Sequence, residues 1–394
     1  MKTNLANLAP RRNLTVKALF FTVLLPVLAT GCAGCDISGS EGAGSGADGS
    51  VAIMTWNLQA LFDGTESGNE YDEFTEAAGW TKEKYRGRLN VIASAIGGME
   101  RKPDLIALQE VESAQVVADL ASALSSQGYR WTHFAIIPGM ALGVGLLSRL
   151  PLHDAKSHSV YIDGDIAPRP MLEARIAAGA AGTEDKNGAE TQGASLVLFV
   201  CHWKSKLGGD DATESTRRAS ARIILRRMGE LARAEPHLPV IVMGDLNENH
   251  DEFYRRSGTV VSALLPDDPR AAELAGGGIG TESGGLQRDY IVISKNRPPF
   301  PRHFPEGAPA LYSPWAEMED GSYYYRNNWE TIDHFLLSAQ LFDGTGLEFE
   351  KCQVVNSPPF ASAKGLPASY NPRTGSGLSD HLPLLLFLKQ ETAR

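Results

Sequence analysis

Leu238-Pro239-Val240-Ile241-Val242-Met243-Gly244-Asp245-Leu246-Asn247 is an apolar run that ends in polar groups. The run reads as a buried strand, and Gly244-Asp245-Leu246-Asn247 as the turn where that strand reaches the surface. The same arrangement recurs at Thr55-Trp56-Asn57-Leu58-Gln59, Leu108-Gln109-Glu110, Cys201-His202-Trp203-Lys204, Ile332-Asp333-His334 and Ser379-Asp380-His381. Strand ends are where α/β folds collect catalytic groups, so these segments are expected to meet at one site.

Outward from these segments, strands and helices alternate. Strands are expected at 51–56, 105–109, 132–137, 143–147, 171–176, 195–202, 240–243, 290–294, 331–338 and 382–388, and helices at 82–96, 113–124 and 213–233. Tyr85, Leu89, Ile92, Ala93 and Ile96 recur at helical spacing with charges between them. On the third helix, Arg217, Arg218, Arg222 and Arg226 read as a solvated basic face. The Gly-rich excursion at 177–194 reads as an exposed loop. Residues 255–310 read as cleft-shaping loops with one strand.

Residues 1–31 carry Lys2, Arg11, Arg12 and Lys17, no acid, and then an apolar run from Ala18 to Ala29, the layout of an export signal. That run is interrupted at Pro26 and is short of the roughly 20 residues a spanning helix needs. Ala29-Thr30-Gly31-Cys32 is similar to a bacterial lipobox, which implies lipidation of Cys32 and attachment to a membrane; ordinary cleavage after a small residue is the simpler alternative. The expected organisation is a leader at 1–31, a Gly/Ser-rich tether at 32–50 and a single domain at 51–390, exported and held at the cell envelope or else secreted. Cys201 and Cys352 could pair in an oxidising compartment, but Cys201 ends an apolar run and reads as a buried small hydrophobe. Removing the leader's four positive charges takes the formal charge from −10 to −14. That argues against a broad basic surface for nucleic acid, but a local positive cleft remains compatible with it.

Hydrolysis of a phosphate ester needs an aligned water, charge neutralisation on the non-bridging oxygens and stabilisation of the leaving oxygen. Glu110, Asp245, Asn247 and Asp380 offer the hard oxygen donors that suit Mg²⁺, Mn²⁺ or Ca²⁺. His202 and His381 can bind a phosphoryl oxygen or move a proton near neutral pH. Taken singly, Asn57 could simply end a strand in a turn, and Asp245 and Asn247 could cap backbone. Glu110, after a largely apolar strand, is harder to explain without a partner.

Together and in this order, the six segments resemble the endonuclease/exonuclease/phosphatase superfamily, the group similar to pancreatic deoxyribonuclease, over residues 51–388. The resemblance implies an α/β fold, a four-layer α/β sandwich of two mixed β-sheets packed face to face with helices outside. It implies that Asn57, Glu110 and Asp380 line the principal metal site, with Asp245 and Asn247 able to hold a second ion. Asp245 would orient or deprotonate the attacking water, Asn247 would hold a phosphate oxygen, His381 paired with Asp333 would contact the scissile phosphate, and His202 would be the second phosphate-contacting histidine. Some members carry an Asp two residues after the first Asn, where this chain has Gln59. His334 is expected to face away from Asp333, and His133, His153, His158, His237, His250 and His303 to be surface residues.

Three further segments fit less specifically. Ser148-Arg149 and Arg169 are similar to family arginines, and Lys204 and Lys206 are candidates to meet phosphate. Gly321-Ser322-Tyr323-Tyr324-Tyr325-Arg326 could present aromatic groups and an Arg to a base or sugar. The resulting expectation is an exported Mg²⁺-dependent phosphodiesterase with nucleic acid as substrate and no obligate protein partner. The rivals are a lipid or inositol-phosphate phosphohydrolase of sphingomyelinase type, and a surface lipoprotein that keeps the fold only for binding. The flanks of Met243-Gly244-Asp245-Leu246-Asn247-Glu248 lack the pattern of inositol phosphatases, and the metal and His positions that a mere binder would lose are present.

Overall fold

A computed structural model describes residues 49–162, 164–178, 194–277, 288–300, 303–304, 310–319 and 321–391. The chain divides into residues 1–41 and 42–394, and all described residues lie in the second unit. The leader, Cys32 and the excursion at 179–193 lie outside the described residues.

Period-two alternation along each strand builds the layers. In Val51–Leu61, Val51 and Ile53 join a core between two sheets, while Ala52, Met54, Trp56 and Leu58 pack on the opposite side against the helices Lys82–Gly97 and Ala114–Ala123. Val240–Asp245 repeats the rule in the other sheet. Ile241 and Met243 enter the inter-sheet core, whereas Val240 and Val242 pack outward with Ala221, Ile224, Met228 and Leu231 of the helix Asp210–Ala234. The result is four layers: helices, sheet, sheet, helix. Each fully buried Leu or Ile in these cores contributes roughly 1.5–3 kcal/mol.

The first sheet runs Gly346–Val354, Leu384–Glu391, Val51–Leu61, Leu105–Val111, Gly143–Ser148, Trp131–Ala135. The second runs Leu264–Pro266, Ile291–Ser294, Ala310–Tyr312, Asp333–Leu337, Val240–Asp245, Ala194–His202, Met171–Ala178, Leu152–His158. Both are mixed, and each has a parallel pair whose strands end at the same edge: Val51–Leu61 with Leu105–Val111, and Ala194–His202 with Val240–Asp245. Antiparallel neighbours begin at that edge, so that Asp333 lies opposite Asp245 and Leu384 opposite Thr55. Six separate stretches of sequence therefore converge there.

Several expectations change. Residues 255–310 hold the strands Leu264–Pro266 and Ile291–Ser294, the start of Ala310–Tyr312 and the helix Pro269–Gly277, so this is not a loop region with a single strand. Its strands are three or four residues long, too short to carry a period. Leu152–His158 and Gly346–Val354 are further strands whose exposed polar residues hide their pattern. Arg217 does not belong to a solvated face. Its side chain is fully buried, donates to Glu214 Oε2 at 2.8 Å and lies 2.7 Å from Glu248. His158 pairs with Glu173 and His250 with Thr331, so neither is a free surface residue, and His133 is half-buried. Cys201 and Cys352 are unpaired, and Cys201 is buried against the third helix. Among the described residues, no helix is long and apolar enough to cross a membrane.

Candidate active site

The alternation that fills the inter-sheet core also arms its edge. Continuing the inward-facing positions past the last apolar residue of each strand gives Asn57, Gln109, His202, Asp245 and, at the start of its strand, Asp333. All five are buried, where the sheets part. The same parity turns His334 outward, where its Nε2 meets the Glu248 carbonyl at 2.7 Å and burial pulls its pKa down to about 4.

Glu110 reaches the site by breaking the alternation. Pairing slips between Gln109 and Val111, and Glu110 takes a φ of 60°, a left-handed conformation costly for a residue of its type. The neighbouring strand bulges in register, with Gln59 and Ala60 at φ of 51° and 58°. The buried guanidinium of Arg88 holds that turn, donating to Ala60 O at 2.9 Å, Gln59 O at 2.9 Å and Leu58 O. Gln59 is turned away from the site, and its amide exchanges hydrogen bonds with the backbone of Tyr370. Gly244 has a φ of 126°, and a Cβ there would lie 2.0 Å from the Cys201 carbonyl, so only glycine lets the Asp245 strand lie this close to its neighbour.

Asn57 Nδ2 donates to Asp245 Oδ2 at 3.0 Å, and the Asn247 backbone N–H donates to Asp245 Oδ1 at 2.9 Å. Asn57 Oδ1 accepts from the Gln59 N–H, and Asn247 Nδ2 donates to Trp203 O. His381 Nδ1 bonds Asp333 Oδ2 at 2.8 Å, and Ser322 Oγ donates to the same oxygen at 2.7 Å. His381 Nε2 faces Asp245 Oδ2 at 4.0 Å, and His202 Nε2 lies 3.5 Å from that oxygen and 3.7 Å from Glu110 Oε1. Ser379 Oγ donates to Asn57 O and accepts the His381 N–H, tying the Ser379-Asp380-His381 turn to the first strand.

Burial works against charge on His381, yet Asp333, with Asp380 and Asp245, raises its pKa to about 10, which favours the imidazolium. His202 goes the other way. Burial, then Arg169, His381 and Lys204, holds it well below the usual range, which favours the uncharged ring. Burial and then Asp333 push Asp245 up to about 7, against the pull of His381 and the hydrogen bond from Asn57. Asp380 is raised by burial and by Glu110, against His381.

Burial and neighbouring carboxylates disfavour charge on Asp245 and Asp380 despite the opposing pull of His381. A hard-oxygen set of this kind fits Mg²⁺, Mn²⁺ or Ca²⁺, with Glu110 and Asp380 as the residues that would hold the ion. Asp245, Asp333 and His381 also bring donor atoms within 4.8 Å of one another. Within that trio Asp333 Oδ2 serves both His381 and Ser322, while Asp333 Oδ1 is buried without a hydrogen-bond partner.

Sequence reasoning passed over Arg88, Ser322, Ser379 and the stacking of Tyr323 on His381. The only local signal for Arg88 is a charge among the apolar helical positions Tyr85, Leu89 and Ile92. Arg169 packs against the His202 ring, beside Lys204. Lys204 Nζ donates to Ser205 O and Leu207 O, and Lys206 pairs with Glu252. Arg149 pairs with buried Asp104, away from the site.

Two face-to-face mixed sheets with acids, amides and imidazoles gathered at one edge define a hydrolase-type α/β sandwich. A sequence profile of the Endonuclease/Exonuclease/phosphatase family matches residues 52–264, more than half of the chain. The chain belongs to this family, whose members hydrolyse phosphoesters. No curated relative matched. Among solved structures, a protein of the same family from Bacteroides thetaiotaomicron is 16% identical, covering 87% of this chain and 95% of its own at a TM-score of 0.47. A mannosyl-6-phosphatase from that organism is 16% identical over 86% of this chain and 99% of its own, with a TM-score of 0.45. A humanized D. rerio TDP2 is 13% identical over 87% of this chain and 100% of its own, with a TM-score of 0.48.

Proposed function

We propose that this chain is a divalent-metal-dependent phosphodiesterase, an exported nuclease that cleaves phosphodiester bonds with an activated water. The observation that carries the reading is His381, which has Asp333 behind it at 2.8 Å and Asp245 in front of it at 4.0 Å. Two carboxylates around one imidazole take different roles because their surroundings differ. Asp245, destabilised as an anion and oriented by Asn57 and the Asn247 N–H, is suited to accept a proton from water. His381, kept charged by Asp333, is suited to donate to a phosphoryl or leaving oxygen. His202, with Arg169 and Lys204 beside it, supplies hydrogen bonds and positive charge for the non-bridging oxygens, and Asn247 holds one of them. A bound divalent ion would neutralise charge developing on the reacting oxygens; Glu110, Asp380 and, after reorientation, Asn57 are the side chains that would retain it.

The localisation reading extends the proposal: residues 1–31 direct export, and lipidated Cys32 with the tether keeps the domain at the cell envelope. The deciding experiment incubates the purified protein with DNA, RNA, sphingomyelin and inositol phosphates, with Mg²⁺ or with excess chelator. Expected is strand cleavage that needs the metal and that falls by about 10²–10⁴-fold in both His381→Ala and Asp245→Asn, with a smaller loss in His334→Ala. Equal rates in chelator would remove the metal, and turnover of sphingomyelin or inositol phosphates alone would replace the nuclease.

A further inference from the structure

One group of side chains at the site is unused by this chemistry. The Tyr323 ring stacks on His381 with centroids 4.5 Å apart and planes 27° apart, and Tyr325 lies nearly parallel to Tyr323, at 6.0 Å and 14°. The Arg326 guanidinium sits over Tyr325, 5.0 Å from its centroid. The rungs run outward from the reacting imidazole to solvent, where Tyr325 is 48% exposed. Tyr323 belongs to the site's field, since burial and then Asp380, Asp245 and Tyr325 push its phenol up to about 12.

The ladder is built into a stiff hairpin. Tyr323–Tyr325 pairs with Asn328–Glu330 through a two-residue turn in which Arg326 and Asn327 take φ of 47° and 65°, the left-handed pair that matches strand twist. Alternation puts Tyr323 and Tyr325 on one face, and on the other Tyr324 packs edge-on against Trp329, which rests on the first sheet's helix-side core. At Gly321 a Cβ would lie 2.8 Å from the Glu330 carbonyl, so the hairpin sits close against its own base. The backbone of Tyr323 bridges to that of His381, so the rings are carried by the same segment that presents the imidazole.

Parallel rings ending in a half-open phenol and a guanidinium match the π-face of a nucleobase. In a duplex both faces of a base are already stacked on its neighbours, so such a surface serves a base that is unpaired. A quaternary ammonium headgroup also binds aromatic faces, but here it would meet the positive charge of Arg326. We infer that the Tyr323–Tyr325–Arg326 ladder is a base-stacking subsite beside the scissile phosphate that directs the enzyme to unpaired nucleic-acid strands. This inference rests on the nuclease reading above.

The test compares single-stranded oligonucleotides whose cleavable phosphodiester is flanked on both sides either by thymidines or by abasic tetrahydrofuran residues, with the full-length protein and Mg²⁺. For the native enzyme, kcat/KM is expected to favour the thymidine strand about tenfold or more, the scale of one base–aromatic stack. The same strand annealed to its complement should be cut more slowly. In Tyr325→Ala the thymidine-to-abasic ratio should fall toward one, and Tyr325→Phe, which keeps the ring, should restore it. A ratio near one in the native enzyme, or a ratio unmoved by Tyr325→Ala, overturns the subsite and leaves the nuclease reading standing. Cleavage of neither strand by a protein that hydrolyses another phosphoester removes the nuclease reading, and the subsite with it.

Discussion

Asn57 donates to Asp245 across 3.0 Å, and this hydrogen bond, like that between His381 and Asp333, joins the active edge of one sheet to that of the other. It ties residues 188 positions apart, and both partners are buried. Asn57→Ala should therefore lower kcat by about 10–100-fold, the kinetic equivalent of one hydrogen bond to a charged group, with little change in KM. Steady-state kinetics alongside a melting curve would separate this from unfolding. An unchanged kcat would show that Asp245 is held by the Asn247 N–H alone.

Arg88 is expected to act through conformation. Its guanidinium satisfies the carbonyls of Leu58, Gln59 and Ala60 in a left-handed turn, and it lies 3.7 Å from the Tyr370 ring centroid. Arg88→Met fills similar space but leaves those buried carbonyls without donors, at a cost of about 2–5 kcal/mol. Urea unfolding would measure it. A loss within about 0.5 kcal/mol, the range of a neutral surface change, would mean that the turn supports itself.

Glu173 supplies a pH signature remote from the chemistry. Burial would raise its pKa, but hydrogen bonds from Arg227 at 2.8 Å and His158 at 2.7 Å override this and bring it down to about 2. A carboxylate depressed in the folded state stabilises it fully above the unfolded pKa, near 4.5, and that stability is lost as pH falls toward 2. Glu173→Gln should therefore unfold more easily at pH 7, by on the order of 3 kcal/mol at most, and the gap from the native protein should close between pH 4.5 and 2. A gap independent of pH would assign the effect to packing.

Attachment to the envelope is testable through Cys32. Acyl labelling and detergent partitioning in the native host should show labelled native protein in the detergent phase. Cys32→Ser should be unlabelled, with any correctly cleaved domain in the aqueous phase. Unlabelled native protein in the aqueous phase would leave simple secretion.

The sequence by itself determined which strands carry polar ends and on which side each end points. The inward parity of Ile241 and Met243 extends to Asp245, and that of Phe335 and Leu337 extends back to Asp333, so a period of two separates Asp333 from His334 before any fold is known. It also determined the family, because six short segments in a fixed order are more specific than any one of them. The pairing of His381 with Asp333, 48 residues away, was already implied by the family resemblance. Other partnerships were decided only in three dimensions: that Asn57 takes Asp245, and that Arg217 is buried with Glu214 and Glu248 when its helix suggested a solvated stripe, depend on packing between distant strands and helices. The three- and four-residue strands between 264 and 312 have too few residues to show a period and exist because neighbouring strands complete their ladders. Local pattern follows from backbone geometry repeated along the chain, whereas the state of a buried charge depends on which groups replace the water it loses, and those groups come from elsewhere in the sequence.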